Sequence, residues 1–410
     1  MSKFNLLNPT LKVSLIAGFF QQMITTAFLP FIALYLTEMI SAQFTGLFLS
    51  LLVLTTIPLD LYGGYIIDTF AKRKIILTYQ FFMSLMLLAM AFTLVDGPKY
   101  IVYFCIAYTI FVIFFGLQFP AMDAIVMDAV TPEVENYVFK FGYWLDNIAI
   151  AVGMFLGGYL YHSNKSIILL VAAAIFFLVF LSLKIWLPKD TKKAQKSRHN
   201  SKTLFTNYAK VFKDKQYMIL LVSTSLIMSA ELSMSSYVAL RLQQNFQEIS
   251  FLSIPIDGVK MFSVIMITNT LTIVLLSYII HKGYHVFSEK YFFLFGLIFY
   301  ILGYVNLTYL NSFWFLILAM MIAASGEIIF SPVIQEKRYK MIPERLRGSY
   351  SALGNLGYSL AELLARFGIL LGTFLNVFGM SMYTLVILVI GAIGIYVSVN
   401  KYLSNERQSI

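Results

Sequence analysis

Twelve apolar stretches long enough to cross a bilayer follow one another along the chain: about 12–37, 43–67, 74–95, 100–127, 138–161, 167–187, 217–241, 259–280, 290–310, 313–336, 349–376 and 379–400. At 1.5 Å per residue, roughly 20 apolar residues cover the hydrocarbon layer. Runs of this length do not alternate as barrel strands would, and a helix satisfies its own backbone in lipid. The pattern predicts an all-α membrane protein with twelve transmembrane helices in two six-helix bundles.

The polar intervals set the organisation. Residues 188–215 carry nine Lys or Arg against two Asp, with six predicted spans on either side. This predicts an N-terminal six-helix bundle over 1–187, a basic cytoplasmic linker over 188–215, and a C-terminal six-helix bundle over 216–410 with a short cytoplasmic tail. Two bundles joined in this way are the layout of a secondary transporter. With the N-terminus inside, cytoplasmic segments hold 24 of the 30 Lys and Arg, and external loops hold only Lys99, Lys165 and Arg241. Lys184, Lys260 and Arg366 fall within or at the ends of spans. The bias predicts that both termini are cytoplasmic. Rich use of Ile, Lys and Phe points to a low-GC bacterium, and so to its cytoplasmic membrane.

Composition narrows the function. Of 410 residues, 59% are apolar and 12% charged, and the mean hydropathy is +0.79. A soluble domain averages about 25% charge, so a disordered chain, a disulfide scaffold and an ordinary soluble enzyme are excluded. The net charge of +10 lies in short loops with no basic-aromatic surface, which predicts no nucleic-acid partner. The single cysteine, Cys105, reads as a small core hydrophobe. The first ten residues are polar, and no cleavable signal peptide is expected. His281 and His285 stand i,i+4 in a predicted loop without the partners of a metal motif, so no metal and no cofactor is expected. No histidine falls at mid-span depth to act as a base, which argues against an intramembrane enzyme.

Ionisable groups at membrane depth carry the candidate chemistry, because each costs about 2.5–3.5 kcal/mol to insert at a helix centre. Glu327 lies about 14 residues into span 10 and Glu231 about 14 residues into span 7. Asp146 stands in span 5 beside Tyr143 and Trp144, an aromatic pair suited to cation-π contact. Glu362 and Arg366 are i,i+4 in span 11, where they can neutralise each other or form a gating or proton-relay pair. Asp257 and Lys260 form a rim pair at the outer end of span 8. Asp123 lies on span 4 towards the cytoplasm.

Two motifs carry a resemblance. After span 2 the chain reads Gly64-Tyr65-Ile66-Ile67-Asp68-Thr69-Phe70-Ala71-Lys72-Arg73-Lys74, and span 5 holds Gly153-Met154-Phe155-Leu156-Gly157-Gly158. The first resembles the G-x-x-x-D-R-x-G-R-R/K signature of the major facilitator superfamily, matched at Gly64, Asp68, Lys72 and Arg73. Thr69 and Ala71 replace the usual Arg and Gly. The second is similar to the G-P-x-x-G-G motif of that family's drug:proton antiporter branch, with Met154 for Pro. Small residues at Gly153, Gly157 and Gly158 also let helices pack closely. Span 4 lacks the Arg often found in this branch.

The resemblance to lactococcal-type multidrug/proton antiporters runs through Val126-Met127-Asp128-Ala129, Tyr143-Trp144, Gly326-Glu327-Ile328 and Gly348-Ser349-Tyr350. It implies a major facilitator fold and a conformational latch at Gly64, Asp68, Lys72, Arg73 and Asp128. It also implies a substrate and proton role for Glu327. Two acids of that pattern are displaced by one turn: Gly142 stands at one site with Asp146 following, and Ser235 at the other with Glu231 preceding.

The expectation is a monomeric, proton-coupled exporter of lipophilic or cationic compounds, in contact with membrane lipids and working by alternating access. The substrate and proton set is Glu327, Asp146, Glu231, Glu362, Arg366, Tyr143 and Trp144. The alternatives are a proton-coupled nutrient or peptide symporter and a transporter of lipid-like substrates. Span 1 has Phe19-Phe20-Gln21-Gln22 where peptide carriers bear E-x-x-E-R-F.

Overall fold

A computed structural model describes residues 3–69, 71–95, 97–163, 165–188, 208–251, 253–283, 289–343 and 346–408; within these, the side chains of 60–69, 278–283, 289–290, 347–349, 351–352 and 399–408 are not described, nor are a few single ones. The helices are α1 (Pro9–Phe28), α2 (Ile32–Met39), α3 (Ala42–Thr69), α4 (Lys72–Thr93), α5 (Ile101–Ala129), α6 (Pro132–Leu160) and α7 (Lys165–Trp186). They continue as α8 (Lys215–Leu232), α9 (Tyr237–Asn245), α10 (Gly258–Gly283), α11 (Glu289–Tyr309), α12 (Phe313–Met341), α13 (Arg347–Leu371) and α14 (Val377–Gln408). A two-stranded antiparallel hairpin, β1 (Ile249–Phe251) and β2 (Ile254–Ile256), joins α9 to α10, with Ser250 opposite Pro255.

Every predicted span corresponds to helix. Among the described residues ten segments are long and apolar enough to cross a membrane. The other two long helices, α6 and α13, bear Asp146 and the Glu362–Arg366 pair, and it is their charge that lowers their hydropathy. Two predicted spans are interrupted. Pro30 lacks an N–H to continue the ladder, and a 3-10 turn over Leu29–Phe31 separates α1 from α2. After Glu231 the helix tightens into a 3-10 turn over Ser233–Ser235, and Ser236 leaves helical geometry at φ −130°, ψ −106°.

Helix starts follow local chemistry. Asn8 accepts from Leu11 N at 2.8 Å with Pro9 in the first turn, and Asp214 accepts from Tyr217 N at 3.0 Å. Side-chain oxygens at N-caps satisfy amides that no helical carbonyl can reach.

The chain forms two compact units, 1–32 with 55–198, and 33–54 with 199–410. Sequence organisation assigns 33–54 to the first half. In the structure this stretch groups with the second unit, where Gly46 lies against the Leu370 backbone and Glu38 accepts a hydrogen bond from Gln243.

In the first unit α1, α4, α5 and α7 enclose a core of Val13, Ala17, Ile75, Ile76, Ala121, Ile125, Val179 and Leu183. The same helices hold a knot of three glutamines, with Gln80 and Gln118 buried and Gln21 half-buried. Gln21 donates to Gln80 Oε1 at 2.6 Å and to Gln118 Oε1 at 3.1 Å, Gln118 donates to Gln80 Oε1 at 2.6 Å, and Gln80 donates to Phe176 O at 3.0 Å. In the second unit α11 packs on α12, α8 on α13 and α14, and α10 on α12. Arg241, 2% exposed, donates to the carbonyls of Leu307, Tyr309 and Leu310 and to the Asn311 side chain. It thereby serves the carbonyls that the end of α11 leaves without helical donors.

Candidate functional site

The second unit brings two of the predicted acids together. Glu231 lies in the last turn of α8 and Glu327 midway along α12, both half-buried. Each lies within reach of the other's charge. What positions Glu327 is its neighbour Gly326. A Cβ there would fall 2.4 Å from Tyr300 N and 2.5 Å from Gly296 O, both backbone atoms of α11. Gly303 meets Ala323 in the same way, at 2.5 Å. Glycines on both helices therefore let α11 and α12 approach closely, and Tyr300 comes to lie beside Glu327.

Tyr300 also reaches α8, where its hydroxyl donates to Ile227 O at 3.1 Å, one turn before Glu231. Its ring lies 4.5 Å from that of Tyr304 and 5.1 Å from that of Phe330. Both tyrosines sense the charge of Glu231 and Glu327. Among the described residues, Glu327 Oε2 is buried without a hydrogen-bond partner, while the side chains of Tyr300 and Tyr304 interact with each other. Among the described residues neither carboxyl takes part in an ion pair. The cation that could have served them is engaged elsewhere: Arg366 Nη2 lies 3.3 Å from Glu362 Oε1, and Nη1 donates at 3.1 Å to Ser235 O and Ser236 Oγ. Glu362 and Arg366 thus form the predicted i,i+4 pair, and Arg366 also binds the polar groups exposed where the predicted span 7 breaks.

The remaining sites stand apart from this pair. In the first unit Asp146 on α6 and Asp123 on α5 are exposed, and Asp146 senses the charge of Asp123. Tyr143 and Trp144 are each 53% exposed, so they form no closed box around Asp146. Trp144 stacks on Phe141 with centroids 6.3 Å apart. Lys72 pairs with Asp128 at 2.8 Å, whereas Arg73 donates to Lys184 O at 2.7 Å and Leu187 O at 3.2 Å at the end of α7. Gly64 and Asp68 lie on α3, and their surroundings fall outside the described residues, as do the side chains of His281 and His285.

Gly153 and Gly157 seat α6 on α1, since a Cβ would fall 2.4 Å from Met23 O at the first and 2.4 Å from Ala27 O at the second. Gly158 is buried. Asp257 accepts from Val259 N and Lys260 N, both at 2.9 Å, as the cap of α10. Lys260 Nζ lies 3.8 Å from Asp257 and donates to Pro255 O at 2.8 Å, tying the hairpin to the helix. Among the described residues no cluster of metal-ligating side chains occurs.

Sequence reasoning missed Tyr300, Tyr304 and the glutamine knot. The glutamines had a usable signal, because an amide inside a span demands a partner.

A sequence model of the Major Facilitator Superfamily matches residues 14–366. The chain belongs to the major facilitator superfamily. A Na(+), Li(+), K(+)/H(+) antiporter of Planococcus maritimus is 24% identical over 377 residues, covering 87% of this chain and 88% of its own. The uncharacterized MFS-type transporter YqjV of Bacillus subtilis (strain 168) is 24% identical over 277 residues, covering 67% and 64%. Among solved structures, a peptide transporter POT in complex with sulfate has TM-score 0.71 at 14% identity, with 98% and 95% coverage. The nucleoside transporter NupG has TM-score 0.70 at 15% identity, with 95% and 99% coverage. These structures share the fold. The protein is a multi-pass membrane transporter of small solutes or ions, and not an enzyme.

Proposed function

We propose that this protein is a proton-coupled antiporter that exports lipophilic cationic solutes across the bacterial cytoplasmic membrane by alternating access. The carrying observation is the Glu231–Glu327 pair: two carboxyls within reach of each other's charge inside one unit, with no ion pair to either among the described residues. Two full negative charges at such a place require a compensating positive one. Either a proton or a cationic solute supplies it, and exchanging one for the other is the chemical content of antiport.

The cycle follows from that exclusivity. A cation drawn from the inner leaflet or cytoplasm associates with the deprotonated pair, the halves rock, and protons from outside displace it. The exposed Asp123, Asp146, Tyr143 and Trp144 add an acidic, aromatic surface that attracts cations in the first unit. Lys72 and Asp128, with Asp68, Arg73 and Gly64, act as the latch that the family signature implies. The relative from Planococcus, whose name describes exchange of alkali cations for protons, supports cation-for-proton exchange. The transporter works as a monomer with both termini in the cytoplasm.

The test uses inside-out vesicles with an imposed proton gradient and ethidium as the probe. Gradient-dependent accumulation that an uncoupler collapses, and that Glu327→Gln abolishes, is the expected result. Equal accumulation by the wild type and Glu327→Gln overturns the assignment of the pair.

A further inference from the structure

Away from the carboxyl pair, the first unit holds an apolar cleft of about 220 Å³ between α1, α6 and α7. Ile24 and Phe28 of α1 form its floor, Leu156 and Leu160 of α6 one wall, and Ile168 and Val171 of α7 the other. Gly157 brings α6 onto Ala27 O, and α7 packs on α1 as well, so the gap lies between α6 and α7. Ile167 and Val171 are 56% and 51% exposed, so the cleft is open along that face of α7. Among the described lining residues only Ser163 has a polar side chain. A smaller apolar cavity, of about 150 Å³, already stays dry and takes hydrocarbon instead of water.

The cleft starts at the turn between α6 and α7. Lys165 opens α7, and its Nζ stands 4.3 Å from the centroid of the Tyr161 ring. The His162 ring meets Tyr161 edge-on at 5.2 Å, and Ser166 Oγ fixes the turn to α4 by donating to Ala91 O at 2.8 Å. The sequence carries no acidic residue before Glu38 or between Asp146 and Asp190, so the three lining helices contribute only positive charge at this mouth. Tyr159, exposed on α6, is an amphipathic ring of the kind that sits at headgroup level. From Lys165 to Ala172 the helix rises roughly 10 Å, against roughly 15 Å for half the hydrocarbon layer. The cleft therefore runs from headgroup level through most of one leaflet.

We propose that this cleft holds one acyl chain of an outer-leaflet phospholipid with an anionic headgroup, and that Lys165 meets the lipid phosphate. The inference goes beyond the antiport reading and takes from it only the orientation that puts the α6–α7 turn outside. A cationic solute would meet like charge at the mouth, whereas an anionic phospholipid matches both the basic rim and the dry interior.

The experiment uses the purified full-length protein in detergent micelles. Native mass spectrometry counts the lipids retained after addition of phosphatidylglycerol or phosphatidylcholine with identical chains. One tightly held lipid is expected, with phosphatidylglycerol retained at about fivefold lower concentration, as one basic side chain beside an anionic headgroup provides. Lys165→Gln should remove that preference and keep the lipid. Ala172→Phe fills the cleft and should remove the lipid. Leu160→Trp fills the same space from α6 and takes its place if melting shows that Ala172→Phe does not fold. No retained lipid on the wild type, or equal retention by a folded cleft-filling variant, overturns the site. Equal retention of the two lipids by the wild type, or a preference that Lys165→Gln leaves unchanged, overturns the headgroup assignment.

Discussion

Gly326→Ala tests whether close approach of α11 and α12 builds the carboxyl site. The added Cβ would lie 2.4 Å from Tyr300 N, where ordinary contact begins at 3.4 Å. Both nearest atoms are backbone, so relief requires the helices to part by about 1 Å (3.4 − 2.4). Overpacking of this kind costs about 1–3 kcal/mol, and the better helix propensity of alanine returns at most about 1 kcal/mol. The same movement shifts Tyr300 and Tyr304 against Glu327, and a displacement of that size can cost about a hundredfold where geometry decides the rate. Gly18→Ala is the matched control, since nothing lies within 4 Å of its added Cβ. Melting of the detergent-solubilised variants and ethidium transport in vesicles give the two readouts. The reasoning predicts a lower midpoint and a large loss of transport for Gly326→Ala, with Gly18→Ala near wild type. Identical behaviour of the two variants in both assays would refute it.

Arg241→Ala leaves the carbonyls of Leu307, Tyr309 and Leu310 without their donor, so a loss of several kcal/mol is expected in thermal melting. Arg241→Lys should recover little, because an ammonium lacks the guanidinium fork that spans several carbonyls. Gln80→Ala strands the amides of Gln21 and Gln118 and should lower stability by about 1–3 kcal/mol. Adding Gln118→Ala should cost less than the sum of the single changes, as a double-mutant cycle would record. Lys72→Ala removes a largely exposed pair with Asp128 worth about 1 kcal/mol at most. A melting midpoint near wild type together with impaired transport would therefore identify a latch role, and unimpaired transport would reject it.

Much of the fold was legible because apolar runs of bilayer length leave few alternatives. The break at Pro30 follows from a residue without an N–H, yet the hydropathy pattern passes through it unchanged. The break at Ser236 carries only the cluster Ser233-Met234-Ser235-Ser236 as a cue, and those hydroxyls are equally at home inside a helix. The pairing of Glu231 with Glu327 was not legible, because three acids at similar depth can meet in several ways. The structure joins Glu231 to Glu327 in one unit and sets Asp146 beside Asp123 in the other. Tyr300 and Tyr304 were hidden among 26 tyrosines, and only the glycine contacts of α11 with α12 single them out. Lys260 and Asp257 read as a rim pair from spacing. Their helix cap and hairpin tether depend on β1 and β2, which the apolar pattern does not reveal.

The central claim is that a cation and protons compete for Glu231 and Glu327 and move in opposite directions. Its most direct measurement is proton counterflow in proteoliposomes that hold the purified protein and an internal pH dye, driven by an ethidium gradient alone. The account predicts saturable proton movement opposite to the ethidium flux, lost in Glu327→Gln and in Glu231→Gln. Ethidium movement by the wild type without any proton counterflow would contradict it.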